Sequence, residues 1–116
     1  MRIIKESRVK EYVRAFPVAR ASLDRWVRLT RRALWTNFAD VRGTFPRADA
    51  VTVASGNKTV VFDIHGNDFR LIAAVHFAVE ETENSRKTGR WVGGRVYVFY
   101  LLSHAQYDRD QWKEIL

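Results

Sequence analysis

The apolar residues of this chain change their spacing once. Up to about residue 47 they recur at intervals of three and four, and from Lys58 onward they gather in β-branched and aromatic runs. The first pattern is that of amphipathic helices and the second that of strands. The chain therefore divides into a helical part (about 1–47), a sheet part (about 58–102) and a polar C-terminal motif (103–116). The expected fold is α+β, with N-terminal helices packed on a small antiparallel β-sheet. A length of 116 residues is about what one domain needs to enclose a core, so one domain is expected over 1–116.

In the helical part, Ser7 can cap a short helix, RVKEYVRA, that ends before Phe16 and Pro17. The residue before a proline is pushed out of helical geometry, which sets that end. Pro17 suits the first turn of a second helix, in which Leu23, Trp26, Val27, Thr30, Ala33 and Leu34 form one buried stripe. The arginines at 20, 25, 28, 31 and 32 are left mainly for its other faces. A third, short helix is expected in TNFADVRGTFP, with Thr36 or Asn37 as its cap and Gly43 and Pro46 as its stops.

The sheet part reads as three strands, KTVVFDI, DFRLIAAVHF and RVYVFYLL. Gly66-Asn67 forms a two-residue hairpin loop between the first two, glycine supplying the positive φ. His65 then faces Asp68, Ile64 faces Phe69 and Asp63 faces Arg70, so one sheet face carries Asp63, His65, Asp68 and Arg70 near its end. Because VVF, LIAAV and YVFYLL put apolar groups on both faces, the face without helices needs cover from a partner, a ligand or the C-terminal segment. Between the second and third strands, EETENSRKTGRWVGG reads as a long solvated loop. Within it, Trp91 is the residue able to stack on a base or a partner.

Charge narrows the class of partner. The 20 Lys+Arg outnumber the 13 Asp+Glu, for a net charge of +7. Residues 1–47 hold 12 basic and 4 acidic residues, net +8, and the remainder holds 8 and 9, net −1. A basic N-terminal part is the electrostatic footprint of RNA, DNA or an acidic protein. There is no cysteine, hence no disulfide framework, and a metal site would depend on histidine and carboxylate alone. His65, His76 and His104 lack the spacing of a metal site, so neither metal nor cofactor is expected. No apolar run approaches the roughly 18 residues of a membrane helix and the N-terminus has no signal-like core, so a cytoplasmic location is expected. Phosphate-cradling glycine loops and the G-x-S-x-G of serine hydrolases are absent.

The last strand ends in SHAQYDRD, which places His104, Tyr107 and Asp108 where a turn or short helix brings them to one side. Plain structural roles exist for most of the polar residues. His76 reads as a hydrogen-bonded residue of a strand, Tyr107 as a ring packed on the core, and Asp63 as a cross-strand partner for Arg70. An arginine on a sheet face is also a fixed bidentate donor for phosphate.

HGNDFRL (65–71) and RVYVFYLLSHAQYD (95–108), with MRIIKESRVKEY, PVARASLDRWVR and ADVRGTFPRADAV before them, resemble the HigB family of bacterial toxins over most of the chain. The segment from Glu80 to Gly94 is longer than the short turn expected there. The resemblance implies a RelE-like fold and an endoribonuclease that cuts messenger RNA at the ribosome without metal. It also implies a neutralising HigA-like antitoxin, usually with a helix-turn-helix. Such cleavage needs a base, an acid and positive charge on the phosphate. Arg70, helped by Lys58, is expected to hold the scissile phosphate, with His104 and Tyr107 sharing proton transfer. His65 and Asp108 are second choices, Asp108 as an orienting group. Arg25, Arg28, Arg32 and Trp91 are the expected RNA contacts, and the same arginines suit an acidic antitoxin segment. The competing reading is a non-catalytic regulatory module, a degenerate toxin that binds nucleic acid or antitoxin.

Overall fold

The computed structural model describes residues 1–80 and 91–116. In chain order these form β1 (Arg2–Ile4), α1 (Glu6–Ala15), a 3-10 turn (Pro17–Ala19), α2 (Arg20–Arg32), α3 (Phe38–Thr44) and β2 (Asp49–Thr52). β3 (Lys58–Ile64), β4 (Phe69–His76), β5 (Val79–Glu80), β6 (Trp91–Val92), β7 (Arg95–Ser103), α4 (His104–Asp108) and α5 (Trp112–Ile115) follow. The architecture is α+β, as the change of period implies. The sheet is larger than expected, with five strands in the order β1-β7-β4-β3-β2. β1 runs parallel to β7 and the other pairings are antiparallel. β1 and β2 are three and four residues long. So few residues carry no readable alternation, and only pairing with a neighbour makes them strands.

α1 ends at Phe16 as the following proline requires, but its N-cap is Lys5, in left-handed geometry (φ 61°), and Ser7 lies inside the first turn. Along α2, Leu23, Trp26 and Thr30 are fully buried. Leu34 leaves the stripe and is half exposed, because α2 stops at Arg32 and Ala33 is extended. α3 is capped by Asn37, whose side chain accepts from the Asp40 N–H at 2.9 Å. Gly43 does not stop α3, which runs on to Thr44.

Between β3 and β4 the register pairs Asp63 with Arg70 and Ile64 with Phe69, as expected. Gly66 supplies the expected positive φ (66°), and His65 before it also takes one (53°). Left-handed backbone costs a residue with a Cβ roughly 1–2 kcal/mol. A tertiary hydrogen bond offsets it: the His65 N–H donates to Ser22 Oγ at 2.9 Å, tying the loop to α2.

A bulge in β7 decides which residues reach the second face. Ile72 pairs with Tyr100 and Ala73 with Val98, leaving Phe99 as the extra residue. The alternation is reset there. Val96, Val98 and Leu101 join the helix-side core, while Leu102 packs with Val61 and Ile72 on the other side. The bulged edge is held by Arg8 Nη1 and the Tyr12 hydroxyl, which donate to the Phe99 carbonyl at 3.1 and 2.8 Å.

The helix-side core centres on Phe62, whose ring lies 5.4 Å from Trp26, 6.1 Å from Trp35 and 5.3 Å from Phe45. On the second face, Val53, Val61, Ile72 and Trp112 form a smaller core, with Tyr107 and Leu116 against it. Of the three covers considered from sequence, the C-terminal segment takes this part of the face. Within 80–94, β5 pairs with β6, and residues 81–90 of the expected loop lie outside the described residues. Among the described residues no helix is long and apolar enough to cross a membrane.

Candidate active site

Arg70 is the centre of a polar cluster on the second face, where the β3–β4 hairpin meets the end of β7. Its side chain is 14 % exposed and its Nε lies 3.2 Å from Asp63 Oδ1, the ion pair expected across the ladder. Nη1 donates to the carbonyls of Asn67 (2.6 Å) and Phe69 (3.2 Å). These three bonds fix the guanidinium plane and leave Nη2 facing α4. There it meets His104 Nδ1 at 3.4 Å, and the guanidinium carbon sits 5.5 Å from the centre of the Tyr107 ring.

α4 starts where it does because Ser103 and Gln106 form a capping box, each side chain bonding to the other's backbone. The His104 N–H donates to the Asp68 carbonyl at 2.9 Å, so the hairpin turn and the start of α4 hold each other. Four residues further along, one helical turn, Asp108 Oδ2 lies 3.1 Å from His104 Nε2. An arginine can only donate, so Nδ1 is the accepting nitrogen and the neutral ring carries its proton on Nε2, toward Asp108. His104 thus presents a lone pair to the cluster, with a carboxylate behind it to stabilise the charged ring. His65 Nδ1 and Asp68 Oδ2, 2.9 Å apart, form a second imidazole–carboxylate pair in the turn.

Tyr107 stacks on Trp112 (centroids 5.3 Å apart, planes 19° apart), and the Trp112 indole N–H donates to the Tyr107 carbonyl at 3.1 Å. Burial, followed by the charge of Asp49, holds the phenol above its ordinary pKa, against the opposing pull of Lys113 and Arg70. Tyr107 therefore keeps its proton through the neutral range and can act as a donor.

Other residues expected at the site lie elsewhere. Lys58 opens β3 five residues before Asp63, the partner of Arg70. At about 3.3 Å per residue that is roughly 16 Å away, which separates it from the phosphate position expected of it. Trp91 belongs to β6, beyond the Arg95 end of β7, whereas the cluster sits at the Ser103 end, roughly 26 Å along the strand. Arg25, Arg28 and Arg32 are exposed on α2, in the helical layer across the sheet from Arg70. His76 is exposed at the end of β4 against Tyr97. Among the described residues no group of three or more His, Cys, Asp or Glu is placed to hold a metal ion.

Arg47 was missed by sequence reasoning. Its Nη1 lies 3.9 Å from Asp63 Oδ2, and its side chain is largely exposed, giving a second cation beside Arg70. No local pattern announces it, since Asp63 and Arg47 meet only through the fold.

Residues 19–110 match the family model described as HigB_toxin, RelE-like toxic component of a toxin-antitoxin system. The chain is also similar to a protein of Escherichia coli O6:H1 (strain CFT073) named mRNA interferase HigB. The two are 27% identical over 109 residues, covering 94% of this chain and 90% of that protein.

Proposed function

The chain belongs to the HigB toxin family, RelE-like toxic components of toxin-antitoxin systems, and from that premise we propose that it is an endoribonuclease that cuts messenger RNA on the ribosome without a metal. The observation that carries this reading is the convergence of Arg70, His104, Asp108 and Tyr107 on one rim. In the proposed reaction, His104 Nδ1 takes the proton of a ribose 2′-hydroxyl as that oxygen bonds to the adjacent phosphorus. The phosphorus–O5′ bond breaks, and Tyr107 gives its proton to the departing 5′ oxygen. The products are a 2′,3′-cyclic phosphate and a 5′-hydroxyl. Arg70 Nη2 neutralises the charge that builds on the phosphorane, with Arg47 as the second cation in place of Lys58. Asp108 orients His104 and stabilises its imidazolium, and His65 is the reserve proton carrier.

Message cleavage mapped during in-vitro translation with the purified protein tests the reading. His104→Ala is expected to slow cutting by roughly 10²- to 10⁴-fold, the usual contribution of a general base. Tyr107→Phe keeps the ring that stacks on Trp112 and removes only the hydroxyl, so it should retain the fold and lose a comparable factor. Intact message after addition of folded wild-type protein would overturn the assignment.

The antitoxin is proposed to be HigA-like and to meet the helical layer. Between α1 and α2 runs a groove of about 650 Å³, with Val9, Val13 and Val27 inside and Lys10, Arg28, Arg31 and Arg32 on its rim beside Glu6 and Asp24. Arg31 pairs with Glu6, so the rim is basic in balance, and an apolar floor with such edges suits an acidic amphipathic segment better than a bare polyanion. Reversing Arg25, Arg28 and Arg32 together to glutamate should weaken antitoxin binding at least tenfold in a titration at low salt, and less at high salt. An unchanged affinity would remove the arginines from that interface. The groove also suits the competing reading of a regulatory module without catalysis. Growth arrest on expression without antitoxin, lost when His104 is replaced, separates the two.

A further inference from the structure

Ser22 lies in the first turn of α2, in the helical layer, and its Oγ accepts the His65 N–H of the β3–β4 turn at 2.9 Å. We propose that Ser22 is a positioning residue for the reaction, holding that turn so that Arg70 and His104 face the scissile phosphate together. The role rests on the nuclease reading and adds to it a residue that touches no reacting atom.

Both of those groups lean on the turn. The Asn67 carbonyl accepts from Arg70 Nη1 at 2.6 Å, and the Asp68 carbonyl accepts the His104 N–H at 2.9 Å. The first bond helps set the guanidinium plane and the second sets where α4 begins, so a shift of residues 65–68 moves the cation and the base at once. Within the turn, the Asp68 N–H donates to the His65 carbonyl at 3.2 Å, and His65 Nδ1 lies 2.9 Å from Asp68 Oδ2. Those two bonds fix the shape of the turn. They do not fix its place, because every atom in them belongs to the turn itself.

His65 gives the tether its leverage. Its φ of 53° is left-handed, a conformation that a residue with a Cβ keeps only where its surroundings hold it. Residues 65–68 are all exposed, so without the Ser22 hydroxyl water would satisfy the His65 N–H and would not hold it against α2. The strands on either side are secured independently. Ile64 and Phe69 are 2 % and 8 % exposed, and the Phe16 ring lies 4.9 Å from that of Phe69. Loss of the hydroxyl is therefore felt by the turn and by the groups that lean on it, and not by the core. Alanine is also the better helix former at position 22.

Ser22→Ala should slow message cutting in translation extracts roughly five- to thirtyfold at saturating protein, the population factor that matches the cost of left-handed backbone. The protein concentration that gives half the maximal rate, and the thermal melt, should stay close to wild type. Ser22→Thr keeps an oxygen at the same place and should recover most of the rate. In NMR spectra of the full chain, Ser22→Ala should displace the Arg70 Nε–H and His104 ring resonances and leave the indole signal of Trp35, in the core, where it is. A wild-type rate in Ser22→Ala, a Ser22→Thr protein as slow as the alanine variant, or unmoved Arg70 and His104 resonances would overturn the positioning role while leaving the nuclease standing. A wild-type protein that cuts nothing would remove the nuclease reading, and the spectra would still decide whether Ser22 sets the geometry of the rim.

Discussion

Arg70→Ala is expected to reduce message cleavage roughly 100- to 1,000-fold, the loss usual when one preorganised donor to a developing oxyanion is removed. The expectation rests on how the side chain is held. Asp63, Asn67 and Phe69 engage Nε and Nη1 and fix the plane, so in the proposed reaction only the long Nη2 contact with His104 has to give way to the phosphate. Lysine at the same position keeps the charge and loses the fork, so Arg70→Lys should recover only part of the rate. Asp63 would remain near Arg47, 3.9 Å away, which limits the structural cost of the alanine variant. A thermal melt close to that of wild type, together with uncut message, is the predicted pair of results. A folded Arg70→Ala protein that cuts at the wild-type rate would take the phosphate site away from this rim.

Phe62→Ala is expected to lower unfolding stability by roughly 3–5 kcal/mol, a large share of the ~5–15 kcal/mol that holds a domain of this size together. Phe62 is 1 % exposed and lies edge-on to Trp26 and Phe45 and stacked with Trp35, so the truncation opens a cavity among three rings from three separate segments. Urea or guanidinium midpoints with unchanged slopes would measure the loss. Phe62→Leu fills most of the space and should cost far less. A Phe62→Ala midpoint within experimental error of wild type would mean that these rings do not form the principal core.

The change in apolar period made the division into helices and sheet legible, and the glycine turn by itself implied the pairing of Asp63 with Arg70. The end of α1 at Phe16 was equally local, because a proline ring constrains its predecessor wherever the rest of the chain goes. His104 and Asp108 could be placed together for a similar reason: four residues on a short helix meet whatever surrounds them.

What the chain could not announce depends on distance in sequence. Lys58 and Arg70 look like neighbours in a basic protein, yet a strand's rise per residue separates them, while Arg47 reaches Asp63 from a different segment. β1 joins β7 from the other end of the chain, and its three residues have no pattern of their own. The Phe99 bulge, visible only as a register shift, puts Leu102 opposite Arg70 and onto the second face. Sequence alone determined the residue types, the helical and stranded periods and the local turns, because those follow from steric rules acting over a few residues. Only the tertiary structure decided which cations gather at Asp63 and which rings pack beside Arg70, because those meetings depend on how separated segments pack.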